Sequence, residues 1–238
     1  MENDRADIHS KGIPVLCRSC EARHRGLCGA LEVDELVELA RHTRKGKYDT
    51  GAELSGEATP IETYANVMHG VVRLTKGLPD GRQQVVGLQF APDFVGRLYG
   101  TEHLVSAEAA SDVELCVVPR PALEEMIKRK PALEHRLMQQ ALRELDEARD
   151  WMLMLGRKSA PEKVATFLVL IATHLDPGAE TATFELPLTR GGMADYLGLT
   201  IETVSRQLTR LKEKRLIVLT GRRGIIISNM DGLRDEAG

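Results

Sequence analysis

The chain has 238 residues, of which 42% are hydrophobic and 28% charged, with a net charge of −3 and four cysteines. That composition fits a soluble globular protein of two modest domains, each able to bury a core. No apolar run approaches the roughly 18 residues of a membrane span, and the polar, acidic start MENDRADIHSKG lacks the apolar core of a signal peptide. A cytoplasmic protein with reduced thiols is therefore expected, without a membrane partner.

Residues 1–30 read as irregular, broken by Gly12, Pro14, Gly26 and Gly29, and they hold three of the four cysteines. Apolar spacing at Val33, Leu36, Val37 and Ala40 predicts a short helix over 33–41. Between 46 and 119 the pattern changes to short apolar runs punctuated by Gly, Pro and Asp, such as VMHGVVRLT and ELCVVP, which predicts a compact antiparallel roll. A short helix is predicted over 121–128. A long one follows, opened by Pro131, and Gly156 is expected to end it. Along it Leu133, Leu137, Ala141, Leu145, Ala148, Met152 and Leu155 recur at steps of three and four between charged flanks. Such a stripe reads as a dimer seam, the alternative being an ordinary helix packed on its own domain. Ser159-Ala160-Pro161-Glu162 carries a capping signature for a further helix whose core face is Val164, Phe167, Leu168 and Ile171. The expected divisions are 1–30, 31–120, 121–156 and 157–238.

The stretch TRGGMADYLGLTIETVSRQLTRLKEK, residues 189–214, reads as two helices around a tight turn. Thr189 caps the first, Gly198 breaks it, and Thr200 caps a second helix running to about 214. Ile201, Val204, Leu208 and Leu211 form the predicted buried stripe, while Glu202, Ser205 and Arg206 share another face. Two β-rich runs, 216–219 and 225–228, follow, joined by Gly221-Arg222-Arg223-Gly224. A helix-turn-helix with a basic-tipped wing points to double-stranded DNA of two-fold symmetry. Arg206 can give two hydrogen bonds to guanine, Glu202 can accept from a cytosine amino group, and Thr200, Arg210, Arg222 and Arg223 flank them. Charge is segregated accordingly. Residues 189–224 hold eight basic and three acidic side chains, a net of +5 that leaves −8 for the rest.

Nothing marks a turnover site: there is no Gly-rich phosphate loop, G-x-S-x-G or H-E-x-x-H, and the seven histidines are scattered. No enzyme is expected. Cys17, Cys20 and Cys28 form C-x2-C-x7-C, and Cys116 stands far off in a predicted strand. Arg18, Arg23 and Arg25 nearby should ease thiol ionisation. Four thiolates suit a [4Fe–4S] cluster, Cys17, Cys20, Cys28 and His24 could instead hold zinc, and a metal-free segment is a third reading. An iron–sulfur electron-transfer protein is the rival from another class.

Taken together, these features resemble the Crp–Fnr family of transcription regulators, and within it the oxygen-sensing branch, the fumarate and nitrate reduction regulators. The resemblance covers nearly the whole chain and is most specific at ETVSR, 202–206, because that branch uses an E-x-x-S-R recognition helix. It implies an α+β fold: an N-terminal β-roll sensor domain like those that bind cyclic nucleotides, a long dimerisation helix and a C-terminal winged helix-turn-helix. It implies a [4Fe–4S] cluster on Cys17, Cys20, Cys28 and Cys116 that favours the DNA-binding homodimer and is degraded by oxygen. Glu202, Ser205 and Arg206 would then read half-sites like TTGAT, and RNA polymerase would be a partner, with the loop 76–81 a candidate surface. The seven residues between Cys20 and Cys28 exceed the spacing of enteric members. Where the cyclic-AMP branch has Gly-Glu this chain has Gly96-Arg97, and HLVSAEA, 103–109, has no Arg, so no cyclic nucleotide is expected. Ala148 stands where enteric relatives place an Asp in the seam.

Overall fold

The computed structural model describes residues 12–18, 20–175 and 181–238; most of the polar leader and His9 lie outside the described residues. The chain divides into two compact units, one of residues 1–74 and 88–144 and one of 75–87 and 145–238. The fold is α+β.

The first unit begins with one-turn pieces: α1 (Val15–Arg18), α2 (Glu21–His24) and a 3-10 turn, Leu27–Ala30. The segment expected to be irregular is thus helical in short steps. Helix α3 (Val33–Ala40) follows, its first turn closed by the Glu35 carboxylate accepting from Glu32 N at 2.9 Å. The roll comprises β1 (Arg44–Tyr48), β2 (Glu53–Ser55), β3 (Thr63–His69), β4 (Val72–Gly77), β5 (Gln83–Gln89), β6 (Phe94–Val95), β7 (Ser106–Ala109) and β8 (Val113–Pro119). They form two four-stranded sheets, ordered β1-β8-β3-β6 and β2-β7-β4-β5, the outer part of the β4–β5 hairpin falling in the second unit.

Strand alternation gives β8 and β3 two buried faces. Val113, Leu115 and Val117 join Ala65, Val67, Val72 and Ala109 inside the roll. Tyr64 and Val118 point the other way, into a second core with Leu27, Cys28, Leu31, Leu36 and Leu39. That core is completed by Leu123, Met126 and Ile127 of α4 (Arg120–Arg129) and by Leu133 and Leu137 of α5 (Pro131–Arg157). Helix α5 runs through Gly156 instead of ending there; a lone glycine in a final turn costs only about 1 kcal/mol.

The second unit contains the rest of α5, then α6 (Ala160–Leu175), β9 (Thr183–Glu185), α7 (Arg190–Leu197), α8 (Ile201–Glu213), β10 (Ile217–Thr220), β11 (Gly224–Ile227) and α9 (Met230–Ala237). Its sheet is ordered β10-β11-β9. Val164, Phe167, Leu168 and Ile171 of α6 are fully buried, as are Met193, Leu197, Val204, Leu208 and Leu233. Each such aliphatic side chain contributes about 1.5–3 kcal/mol by burial. Tyr196 stacks obliquely on Phe167 and Trp151, with ring centroids 5.6 and 5.9 Å away. Among the described residues no helix is long and apolar enough to cross a membrane.

Candidate functional site

The turn between α7 and α8 is built by three residues. Thr189 Oγ1 accepts from Gly192 N at 3.1 Å, starting α7. Gly198 ends it with φ 60° and ψ 43°, a left-handed conformation that suits glycine and lets the chain reverse. Thr200 Oγ1 then accepts from Thr203 N at 3.2 Å and starts α8. Placed among the DNA contacts by sequence, Thr200 has its hydroxyl engaged in holding the helix end.

Helix α8 is amphipathic. Val204, Leu208 and Leu211 are buried, whereas Ile201, expected in the same stripe, is 51% exposed because it lies in the first turn, beyond the core's edge. Glu202, Arg206 and Arg210 are exposed and Ser205 is half-buried. The Glu202 carboxyl is held below its usual range by its own backbone N–H and the Thr200 hydroxyl, so it is an acceptor at neutral pH. Arg206 Nη2 donates to Thr203 Oγ1 at 3.3 Å, which aligns its fork along the helix. In the wing Arg222 is exposed and Arg223 half-buried, its carbonyl accepting from Leu186 N at 2.9 Å. That bond ties the wing to the segment after β9, a strand that sequence reading missed.

The cysteines are carried by separate elements. Cys17 is on α1, Cys20 precedes α2, Cys28 lies in the 3-10 turn and Cys116 is on β8, paired in register with Lys45 of β1 and Asn66 of β3. Cys20, Cys28 and Cys116 are buried and Cys17 is half-buried. The thiols feel one another. Cys116 is pushed up to about 12 by burial and then by Cys20 and Cys17, with the Thr43 hydroxyl opposing. Burial, then Cys116, Cys20 and Cys17 raise Cys28 further still. Burial and Cys20 also raise Cys17, and Arg23 only partly offsets them. At Cys17, therefore, Arg23 does not bring the easier ionisation that sequence proximity implied; loss of solvent and the neighbouring Cys20 outweigh it. Among the described residues no three His, Cys, Asp or Glu side chains close on one point as ligands of a single metal ion would. Three buried thiols and a half-buried one are the donor type that a cationic multi-iron group would take, were one bound.

The stripe on α5 divides in two. Leu133 and Leu137 are buried against their own domain, with 0% and 6% exposure, so they cannot serve a seam; that half of the stripe is an ordinary core face. Ala141, Leu145, Ala148 and Met152 are exposed and Leu155 is half-buried. Met138, Leu142 and Leu153, which sequence reading passed over, are 58%, 53% and 60% exposed and widen the same apolar band.

Residues 45–130 match a model described as a cyclic nucleotide-binding domain, and residues 162–236 one described as a Crp-like helix-turn-helix domain. The chain is 52% identical to a probable transcriptional activator of Rhizobium leguminosarum bv. viciae, over 98% of each chain. It is 40% identical to the transcriptional activator protein FnrL of Cereibacter sphaeroides, over 93% of this chain and 92% of that one. Among solved structures, FixK2 from Bradyrhizobium japonicum superposes with a TM-score of 0.75 at 35% identity, covering 82% of this chain and 98% of that chain. With its β-roll, long helix and winged helix-turn-helix, the chain belongs to the Crp–Fnr family of DNA-binding transcription regulators.

Proposed function

We propose that this regulator responds to oxygen through a [4Fe–4S] cluster held by Cys17, Cys20, Cys28 and Cys116. In the cluster-bound state it is a homodimer that binds two-fold sites of the TTGAT type. The observation that carries this reading is the mutual electrostatic neighbourhood of four thiols, three from one short segment and the fourth from a strand flanked by β1 and β3. When bound, the cluster supplies cationic partners for the four thiolates and an oxygen-labile tie between the segment and the sheet. Cys28 shares a core with Leu133 and Leu137, so the placement of the segment is felt by the first half of α5. The exposed band from Met138 to Met152 is the face offered to a second copy, and Ala148 adds no repulsive charge to it.

On DNA, Arg206 and Glu202 face base edges while Arg210, Arg222 and Arg223 face phosphates, each phosphate contact steepening the salt dependence. The sensor domain takes no cyclic nucleotide, on the reading that Gly96-Arg97 stands where the cyclic-AMP branch has Gly-Glu and that residues 103–109 hold no Arg. RNA polymerase meets the loop 76–81. An anaerobic absorption spectrum with iron and sulfide analysis, paired with binding of a two-fold TTGAT duplex, tests the reading. Brown protein whose affinity falls on exposure to air is expected. Colourless protein holding only zinc would end the oxygen-sensing claim and leave DNA binding intact.

A further inference from the structure

One contact joins the cysteine segment to α5 through main-chain atoms. The guanidinium of Arg136, half-buried in the second turn of α5, donates from Nε to Gly26 O and from Nη2 to Arg25 O, each at 3.2 Å. Those carbonyls lie where α2 ends and the turn that holds Cys28 begins; Gly26 O also accepts from Gly29 N at 3.3 Å, so it serves the turn and the guanidinium together. A Cβ on Gly29 would lie 3.5 Å from Arg136 Nη2, so the guanidinium passes close over this turn as well. Leu133 and Leu137, on either side of Arg136 along the helix, pack in the core that contains Leu27 and Cys28. The planar fork of arginine can hold two neighbouring carbonyls at once, which an ammonium cannot do with the same geometry. Because it grips backbone, the contact registers where the segment lies and not which side chains it carries.

We propose that Arg136 is the strap that couples the cysteine segment to the dimer helix. The inference rests on the cluster reading above. With the four thiols gathered, residues 25–30 are seated so that both carbonyls accept, and the first half of α5 is held in one orientation. With the thiols released, the segment opens more often, each opening withdraws its carbonyls, and the hold on α5 is weakened. Arg136 is a positioning residue, touching neither the cluster nor DNA.

The test uses the full chain, metal-free and anaerobically reconstituted, with a fluorescent duplex carrying a two-fold TTGAT site. Arg136→Met keeps the aliphatic stem and removes the donors; Arg136→Lys restores charge and part of the donation. Iron per chain, duplex affinity in both states and amide exchange of residues 25–30 are measured for each. The expected result is normal iron in Arg136→Met and faster exchange at 25–30. The ratio of loaded to metal-free affinity, roughly 5–150-fold for a typical coupling, should fall at least about fivefold, with Arg136→Lys intermediate. A wild-type ratio with normal iron in Arg136→Met overturns the strap. Loss of iron in both variants also overturns it, since the residue would then assemble the site and not report on it. If the wild-type protein itself takes up no iron, the cluster reading fails separately, and unchanged amide exchange at 25–30 in metal-free Arg136→Met would sink the strap as well.

Discussion

Gly26 sits where the cysteine segment packs against Pro92 of the roll, and Gly26→Ala measures how tightly that segment is seated. Its φ of −97° is open to any residue, so the cost of a side chain there is one of space. An added Cβ would lie 2.8 Å from Ala22 Cα and 3.0 Å from Pro92 O, both backbone atoms that cannot swing away. Overpacking of this kind costs about 1–3 kcal/mol. If the strain is relieved by lifting the segment, the open population rises roughly 5–150-fold, at about 1.4 kcal/mol per factor of ten. Cys28, 8% exposed, is the natural reporter, because a buried thiol is modified only when its surroundings open. Metal-free protein would be alkylated under nitrogen at fixed pH, quenched at intervals, and the Cys28 peptide quantified by mass. The Gly26→Ala rate should exceed wild type by that factor. Gly77→Ala, whose Cβ would meet nothing within 4 Å, should match wild type. Equal Cys28 rates in Gly26→Ala and wild type, with equal melting temperatures, would refute the claim that the segment is packed tightly against the roll.

Three further outcomes are expected. Arg206→Ala should weaken binding by about 1–3 kcal/mol and relax discrimination at one base pair of each half-site, measured on a panel of singly substituted duplexes. Uniform weakening across the panel would confine Arg206 to phosphate. Cys116→Ser should abolish the anaerobic brown chromophore; full iron retention would show that the three N-terminal thiols suffice. Tyr64 is pushed up to about 12, first by burial and then by its 2.8 Å hydrogen bond to Glu124, against an ordinary value of 10. Its contribution to stability is therefore fully present below pH 10 and lost as pH rises through about 12. Urea midpoints at pH 9 and 11 should fall further apart in wild type than in Tyr64→Phe, and equal losses would discount the phenol.

Where local chemistry decides the backbone, the sequence was readable. Thr189, Gly198 and Thr200 shape the turn by bonds that span three or four residues, and the period of Val204, Leu208 and Leu211 gives the buried face of α8. What lay hidden depended on distant partners. Strand β9 is three residues long and exists because Phe184 pairs with Ile225, some forty positions later. Helix α9 did carry a signal, Asn229 accepting from Gly232 N at 2.9 Å ahead of Met230, Leu233 and Ala237. Periodicity located the stripe on α5 but could not say which half faced inward, since Leu133 and Leu145 obey the same spacing. Arg136 read as one charge among many on that helix, because a bond to a backbone oxygen 110 residues away leaves no trace in composition.

The first half of α5 shows two sides to two different environments: Leu137 lies in the core that holds Cys28, and Met138, the next residue, faces outward. Successive residues on a helix are about 100° apart, and a side chain stands about 5 Å from the axis. A roll of 20° about that axis, small enough for the inner contacts to slip by one van der Waals step, carries the outer residues sideways by nearly 2 Å. Like an axle, the first half of the helix cannot turn at its inner bearing without turning its outer rim.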